Sequence, residues 1–189
     1  MTDAARELCS AAECQLVVVD IQARLASAMA PADRQRVIKQ SGILLCAAEL
    51  LAVPVVATEQ YPRGLGPTEE GVKGALPRGA PILEKTCFAC GGAPGFSDTL
   101  SANARPQVVL AGMETHICVT QTALDLLRRG YRVFVAADAC CARNAENHRN
   151  ALARLREAGV VVSNTESVVF EWLRDAAHEH FKAISALLK

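Results

Sequence analysis

Residues 108–130 read VVLAGMETHICVTQTALDLLRRG. The run Val108, Val109, Leu110, Ala111 is short, apolar and ends at Gly112, the pattern of a parallel strand covered on both faces. Ile117, Thr120, Leu124 and Leu127 then recur at helical spacing, and the pattern closes on Arg128, Arg129 and Gly130. A buried strand that turns directly into an amphipathic helix is the building unit of an α/β sheet. Thr115 is the expected N-cap, which places Cys118 third in the helix. A thiolate there faces the positive end of the helix dipole, which favours the ionised, nucleophilic form. Position alone leaves a second reading open, an inert thiol packed as a small apolar residue.

Working outward, strand-like runs alternate with helical ones. Strands are expected at Gln15–Asp20, Pro54–Ala57, Pro81–Lys85, Gln107–Ala111, Tyr131–Ala137 and Val160–Ser163. Helices are expected at Pro31–Ala52, Pro94–Asn103, Thr115–Arg129 and Asn144–Ala158, with a helical tail from about Ser167. The strands are continuous Val/Leu runs without polar alternation, so helices cover both faces of a mostly parallel six-stranded sheet, joined by right-handed crossovers. Glu59 to Ala80 is irregular, with five glycines and three prolines, and a segment of that length is expected to act as a lid or an assembly arm.

Composition limits the function classes. The 189 residues suit one domain with an ample core, and 20 basic residues balance 20 acidic ones, so no charge excess draws the chain to nucleic acid or to an anionic membrane. A small-molecule or protein partner is the expectation. The opening MTDAARELCS has no apolar core of the signal type, and the apolar stretch Ile43–Ala57 is broken by Glu49 and Pro54, so a cytoplasmic chain that does not span a membrane is expected. The eight cysteines are scattered, unlike a disulfide scaffold, and reduced thiols are expected.

Ligands of an open α/β sheet bind beyond the carboxyl ends of its strands. The first strand, QLVVVD, ends in Asp20; the third, PILEK, ends in Lys85; the fourth leads to Cys118. Each alone is explained by a strand end meeting solvent. Together they form a base, a cation and a nucleophile on one edge.

These residues sit in motifs: VVVDIQ around Asp20, ATEQYP at 57–62, EKTCF around Lys85, GMETHICVTQTALDL around Cys118 and VAADAC at 135–140. In that order and register they resemble the isochorismatase-like cysteine hydrolases, and the resemblance spans nearly the whole chain. It implies a single three-layer α/β/α, Rossmann-like domain over 1–189 and a catalytic triad of Asp20, Lys85 and Cys118. It also implies a non-proline cis peptide between Met113 and Glu114, with an oxyanion held by backbone N–H groups of Cys118, Glu114 and neighbours such as Ile117. The implied chemistry is hydrolysis of a C–N bond, amide or carbamoyl, through a thioester. Family members commonly assemble, so a homo-oligomer is expected.

Departures from the family narrow this. Nicotinamidases carry Asp-x-His and a further His after the second strand, whereas this chain reads Thr58-Glu59-Gln60-Tyr61, so no metal and no cofactor is expected. True isochorismatases lack the cysteine that this chain keeps. Gln22, Glu59, Gln60, Tyr61, Phe88 and His116 are the candidate substrate-binding residues, with surface or core roles as the alternative for each. Cys87 and Cys90 form a CxxC; a structural zinc there would need two more ligands, which the adjacent Cys140–Cys141 pair is poorly spaced to supply, so ordinary pocket-wall or core thiols are expected over zinc or redox use. A catalytically idle scaffold or small-ligand-binding protein remains the competing reading, while a nucleotide binder is disfavoured because IQARLASAM, not G-x-G-x-x-G, follows Asp20.

Overall fold

The computed structural model describes residues 8–189; the signal-peptide reading of the opening residues falls mostly on 1–7, outside the described residues. In chain order the elements are β1 (Cys14–Val19), α1 (Ala23–Ser27), α2 (Pro31–Leu50), β2 (Val55–Gln60), α3 (Pro62–Leu65), α4 (Glu70–Lys73) and β3 (Ile82–Lys85). A 3₁₀ turn at Cys90–Gly92, α5 (Phe96–Asn103) and β4 (Gln107–Met113) follow. A wide π-type turn at Thr115–Val119 then runs into α6 (Thr120–Arg128), β5 (Arg132–Cys141), α7 (Ala145–Glu157), β6 (Val161–Ser163), α8 (Thr165–Leu173) and α9 (Phe181–Leu187).

The six strands form one sheet in the order β3-β2-β1-β4-β5-β6, and every pairing is parallel. Side chains alternate between its faces. Leu16, Val18, Val109, Ala111 and Phe134 pack with α2 and α8 on one side. Val17, Val19, Val108, Leu110 and Val135 pack with Phe96, Leu126 and Leu155 of α5, α6 and α7 on the other. Apolar helices on both faces explain why the strands carry no polar alternation. The result is the expected three-layer α/β/α architecture.

Several local expectations change. The segment 59–80 is not structureless: it holds α3 and α4 and is tied down by backbone bonds from Ala23 to Pro67 (3.0 Å) and from Glu69 to Ile21 (2.8 Å). β5 runs on to Cys141 because it bulges: between the pairs Leu110–Val135 and Gly112–Cys140 it carries four residues against the single Ala111 of β4, and it rejoins with Met113 against Cys141. The tail breaks into two helices at Arg174, whose φ is 61°.

β1 and β4 are the central neighbours from which successive strands run outward in opposite directions, so the crevice at their carboxyl ends is the topological switch point. Gly112 makes that crevice possible. Its φ is 140°, and a Cβ there would fall on the backbone of Val19, its register partner in β1. We predict that Gly112→Ala lowers the unfolding free energy by about 2 kcal/mol. Urea denaturation measures this, and an unchanged midpoint would contradict the close approach.

Candidate active site

Asp20 follows β1 directly in the left-handed region, φ 51°, a conformation that aspartate tolerates better than most residues. Its N–H donates to the Thr58 carbonyl (3.1 Å) and its carbonyl accepts from Gln22 N–H (2.9 Å), so the backbone aims the side chain inward. Lys85 Nζ donates to Asp20 Oδ2 at 2.5 Å, with both side chains fully withdrawn from solvent. Thr58 Oγ1 donates to the other oxygen, Oδ1, at 2.7 Å. The remaining two protons of the ammonium reach Gln60 Oε1 (2.7 Å) and the Phe88 carbonyl (3.2 Å). Lys85 therefore acts as a fixed charge, its donors already engaged within the chain.

Cys118 lies in the turn between β4 and α6 and is 5% exposed. Asp20, Lys85 and Cys90 all lie close enough to act on it electrostatically, Asp20 the most strongly. The three strand-end groups are thus brought together. Two details differ from expectation. Thr115 is the first helical residue and not the cap, because Glu114 stays extended and the Thr115 hydroxyl pairs with His148 Nδ1 (2.8 Å) on α7; Cys118 is consequently the fourth residue of the turn. The thiol is also not held ionised by the helix start. Burial pushes its pKa well above the usual thiol range and the Asp20 carboxylate pushes it further, outweighing the pull of Lys85.

The Met113–Glu114 peptide is cis. The Glu114 carbonyl accepts from Ile117 N–H (3.0 Å) and Val119 N–H (3.3 Å), the residues on either side of Cys118. Ile117 therefore does not offer a free donor to an oxyanion, contrary to expectation, because the widened turn draws its N–H back onto Glu114. The Glu114 carboxylate, 4% exposed, accepts from the backbone N–H (2.8 Å) and Nε (3.1 Å) of Arg143.

The polar candidates for substrate binding are largely engaged in building the site. Gln22 is fully buried; its amide donates to the Gln60 and Gly66 carbonyls (3.0 and 2.7 Å) and accepts from Gln60 N–H (2.7 Å). Glu59 Oε1 accepts from the N–H and hydroxyl of Thr68 (2.6 and 2.7 Å), and Gln60 Nε2 donates to the Thr86 carbonyl (2.6 Å). Tyr61 and Phe88 are about half exposed. Tyr61, Pro62, Lys85, Thr86, Gly92 and Pro94 line a cleft of about 490 Å³, whereas Phe88, His116 and Cys118 are not among its walls. His116 meets Asn147 at 3.4 Å, and its Nδ1 is buried without a partner among the described residues.

Thr58, Cys90, Arg143 and His148 join the site; of these only Cys90 stood out in the sequence, and as half of a CxxC, not as a neighbour of Asp20. Parallel register offers a signal for the first, since Thr58 lies beside Val19, immediately before Asp20. Arg143 and His148 carry no local signal, because α7 follows the nucleophile by an entire strand.

A buried carboxylate–ammonium pair beside a buried thiol thus stands at the switch point of a parallel α/β sheet. Residues 14–167 match the isochorismatase domain, and the chain belongs to that family. The bovine isochorismatase domain-containing protein 2 is 43% identical over 160 residues, covering 82% of this chain and 74% of its own. Among solved structures, MAR1 ribonuclease from Caenorhabditis elegans superposes with a TM-score of 0.90 at 33% identity, over 96% of this chain and 92% of the other. YcaC from Pseudomonas aeruginosa, described with hexane-2,5-diol and covalent acrylamide, superposes with a TM-score of 0.86 at 26% identity, over 99% and 93%.

The pair dictates a stability effect. Removing one partner of a buried ion pair leaves the other charged and unpaired, at a cost of about 3–5 kcal/mol. We predict a loss of that size for Lys85→Ala in urea denaturation, with part of it recovered in Asp20→Asn/Lys85→Met. A loss in Lys85→Ala below about 1 kcal/mol, typical of exposed pairs, would contradict the burial.

Proposed function

We propose that this protein is a cysteine hydrolase that cleaves the C–N bond of a small amide or carbamoyl compound, with Cys118 as nucleophile, Asp20 as general base and acid, and Lys85 as the fixed cation. The observation that carries the reading is the fully buried Asp20–Lys85 pair acting on the thiol. Because the thiol is held neutral, attack begins with transfer of its proton to Asp20. The sulfur bonds to the carbonyl carbon, and the backbone N–H groups of Cys118 and Glu114 are the proposed oxyanion donors. Collapse expels ammonia or amine, protonated by Asp20, and leaves a thioester. Asp20 then takes a proton from water, which attacks the thioester and releases the acid and the free thiol. Lys85 keeps the carboxylate charged whenever the proton is away.

Covalent acrylamide in the Pseudomonas aeruginosa relative supports the presence of a reactive nucleophile in that protein, since acrylamide is an electrophile that thiolates capture. The name of the Caenorhabditis elegans relative raises ribonuclease activity, but phosphate binding draws on an excess of basic residues, and this chain has 20 basic against 20 acidic. No helix among the described residues is long and apolar enough to cross a membrane. A small-molecule substrate, a cytoplasmic setting and assembly into a homo-oligomer complete the reading.

The raised thiol pKa favours one alternative, an idle scaffold or small-ligand-binding protein whose cysteine is inert. A panel of small amides and carbamoyl compounds, followed by ammonia release, separates the two. We expect turnover on at least one of them, a loss of about a thousandfold or more in Cys118→Ala, and one carboxamidomethyl group on Cys118 after iodoacetamide. Full activity in Cys118→Ala, or RNA cleavage that survives it, would overturn the mechanism.

A further inference from the structure

The buried thiol of Cys90 has no part in the steps above, yet it lies against them. Its backbone N–H is fixed by the Thr122 hydroxyl of α6 (3.0 Å), and its sulfur meets Thr58 Oγ1 at 3.5 Å. Thr58 has one hydroxyl proton, and that proton goes to Asp20 Oδ1 at 2.7 Å. A hydrogen bond to a carboxylate is the stronger of the two available to it, so the Thr58 oxygen is left to accept from the Cys90 S–H. Burial keeps that S–H protonated, with the Cys90 pKa pushed up to about 11. Cys90 and Thr58 are both almost wholly buried, so water does not substitute for either.

We propose that Thr58, backed by Cys90, is a positioning residue of this site: the chain Cys90 S–H to Thr58 O–H to Asp20 Oδ1 holds the base as a carboxylate turned toward Cys118. This rests on the reading of Asp20 as the base. The titratable or charged groups facing that carboxylate are Lys85 from β3, Cys118 from the turn before α6 and Cys90 from the 3₁₀ turn. Lys85 fixes Oδ2. Thr58 fixes Oδ1, so the plane of the carboxylate is set by two donors instead of one. The sequence places Thr58 where it can act this way, beside Val19 in the parallel register and one residue short of Asp20. A valine there would suit the strand as well, and would offer nothing to the acid.

Losing a donor to the charged form favours the neutral acid. The base then becomes protonated at higher pH than in the natural chain, and the thiol loses its acceptor there. The readout is the rate of Cys118 alkylation by iodoacetamide against pH, followed by mass spectrometry, which needs no substrate; the exposed Cys87 serves as the internal reference for solvent-controlled reactivity. We expect Thr58→Val to move the acid limb of the Cys118 profile upward by about one pH unit, close to tenfold in rate on that limb, the size of a hydrogen bond to a charge. Thr58→Ser should restore the natural profile. Cys90→Ala should move it the same way by less, and carries the test should Thr58→Val fail to fold. Asp20→Asn should flatten the profile. Superposable profiles for the natural chain, Thr58→Val and Cys90→Ala, with Asp20→Asn flat, would overturn the positioning role while leaving Asp20 the base. A natural profile in Asp20→Asn would overturn both.

Discussion

The contact on which the site rests is the ion pair between Asp20 and Lys85, 2.5 Å apart and shielded from solvent on both sides. Removing two charges from water is expensive, and their mutual attraction offsets the cost only when the remaining lone pairs and protons also find partners. Here they do: Thr58 serves the free carboxylate oxygen, and Gln60 and the Phe88 carbonyl serve the ammonium. The requirement propagates outward. Gln60 can face Lys85 because Gln22 clamps its backbone on both sides, and Gln22 in turn holds Gly66, so the fold of the segment after β2 is coupled to the charge at its base. Gln22 and Gln60, both candidate substrate contacts in the sequence, are thus used to keep two opposite charges buried.

The state of the thiol follows from the same burial. A cysteine at a helix start is commonly expected to be ionised, but that argument weighs a surface dipole against water. At Cys118 desolvation is the larger effect, and the adjacent carboxylate repels a second negative charge. The same carboxylate is the proposed acceptor for the thiol proton. In the proposed mechanism, repulsion at rest and proton acceptance during attack are therefore two consequences of one placement, and charge moves to sulfur only as the proton moves to oxygen.

Periodicity made the sheet legible. Unbroken runs such as QLVVV and QVVLA read as strands covered on both faces, and the order of strands and helices then pointed to a parallel sheet with Asp20, Lys85 and Cys118 on one edge. What escaped is what depends on three-dimensional neighbours. Thr115 looks like a cap in sequence, yet His148 takes its hydroxyl from a helix 33 residues away. Ile117 looks available as a donor until the turn widens and folds its N–H onto Glu114. Glu59 and Gln60 look like ligand groups because their partners, Thr68 and Thr86, lie beyond the strand that carries them.

The two halves of the site are anchored to different bodies. Asp20, Thr58 and Lys85 stand on three adjacent strands, β1, β2 and β3, and their geometry is set by sheet register. The turn that carries Cys118 is instead gripped by α7 and the residue before its cap. Arg143 holds the Glu114 carboxylate, and His148, whose pKa burial lowers, presents a neutral ring able to accept the Thr115 hydroxyl. Acid and thiol are thus positioned by separate sets of contacts that meet across the β1–β4 crevice, where Gly112 permits the strands to close. A disturbance in α7 would displace the sulfur without loosening the ion pair, and a disturbance in β2 or β3 would do the reverse. In the proposed mechanism, the distance over which a proton passes between them is the quantity that the fold as a whole controls.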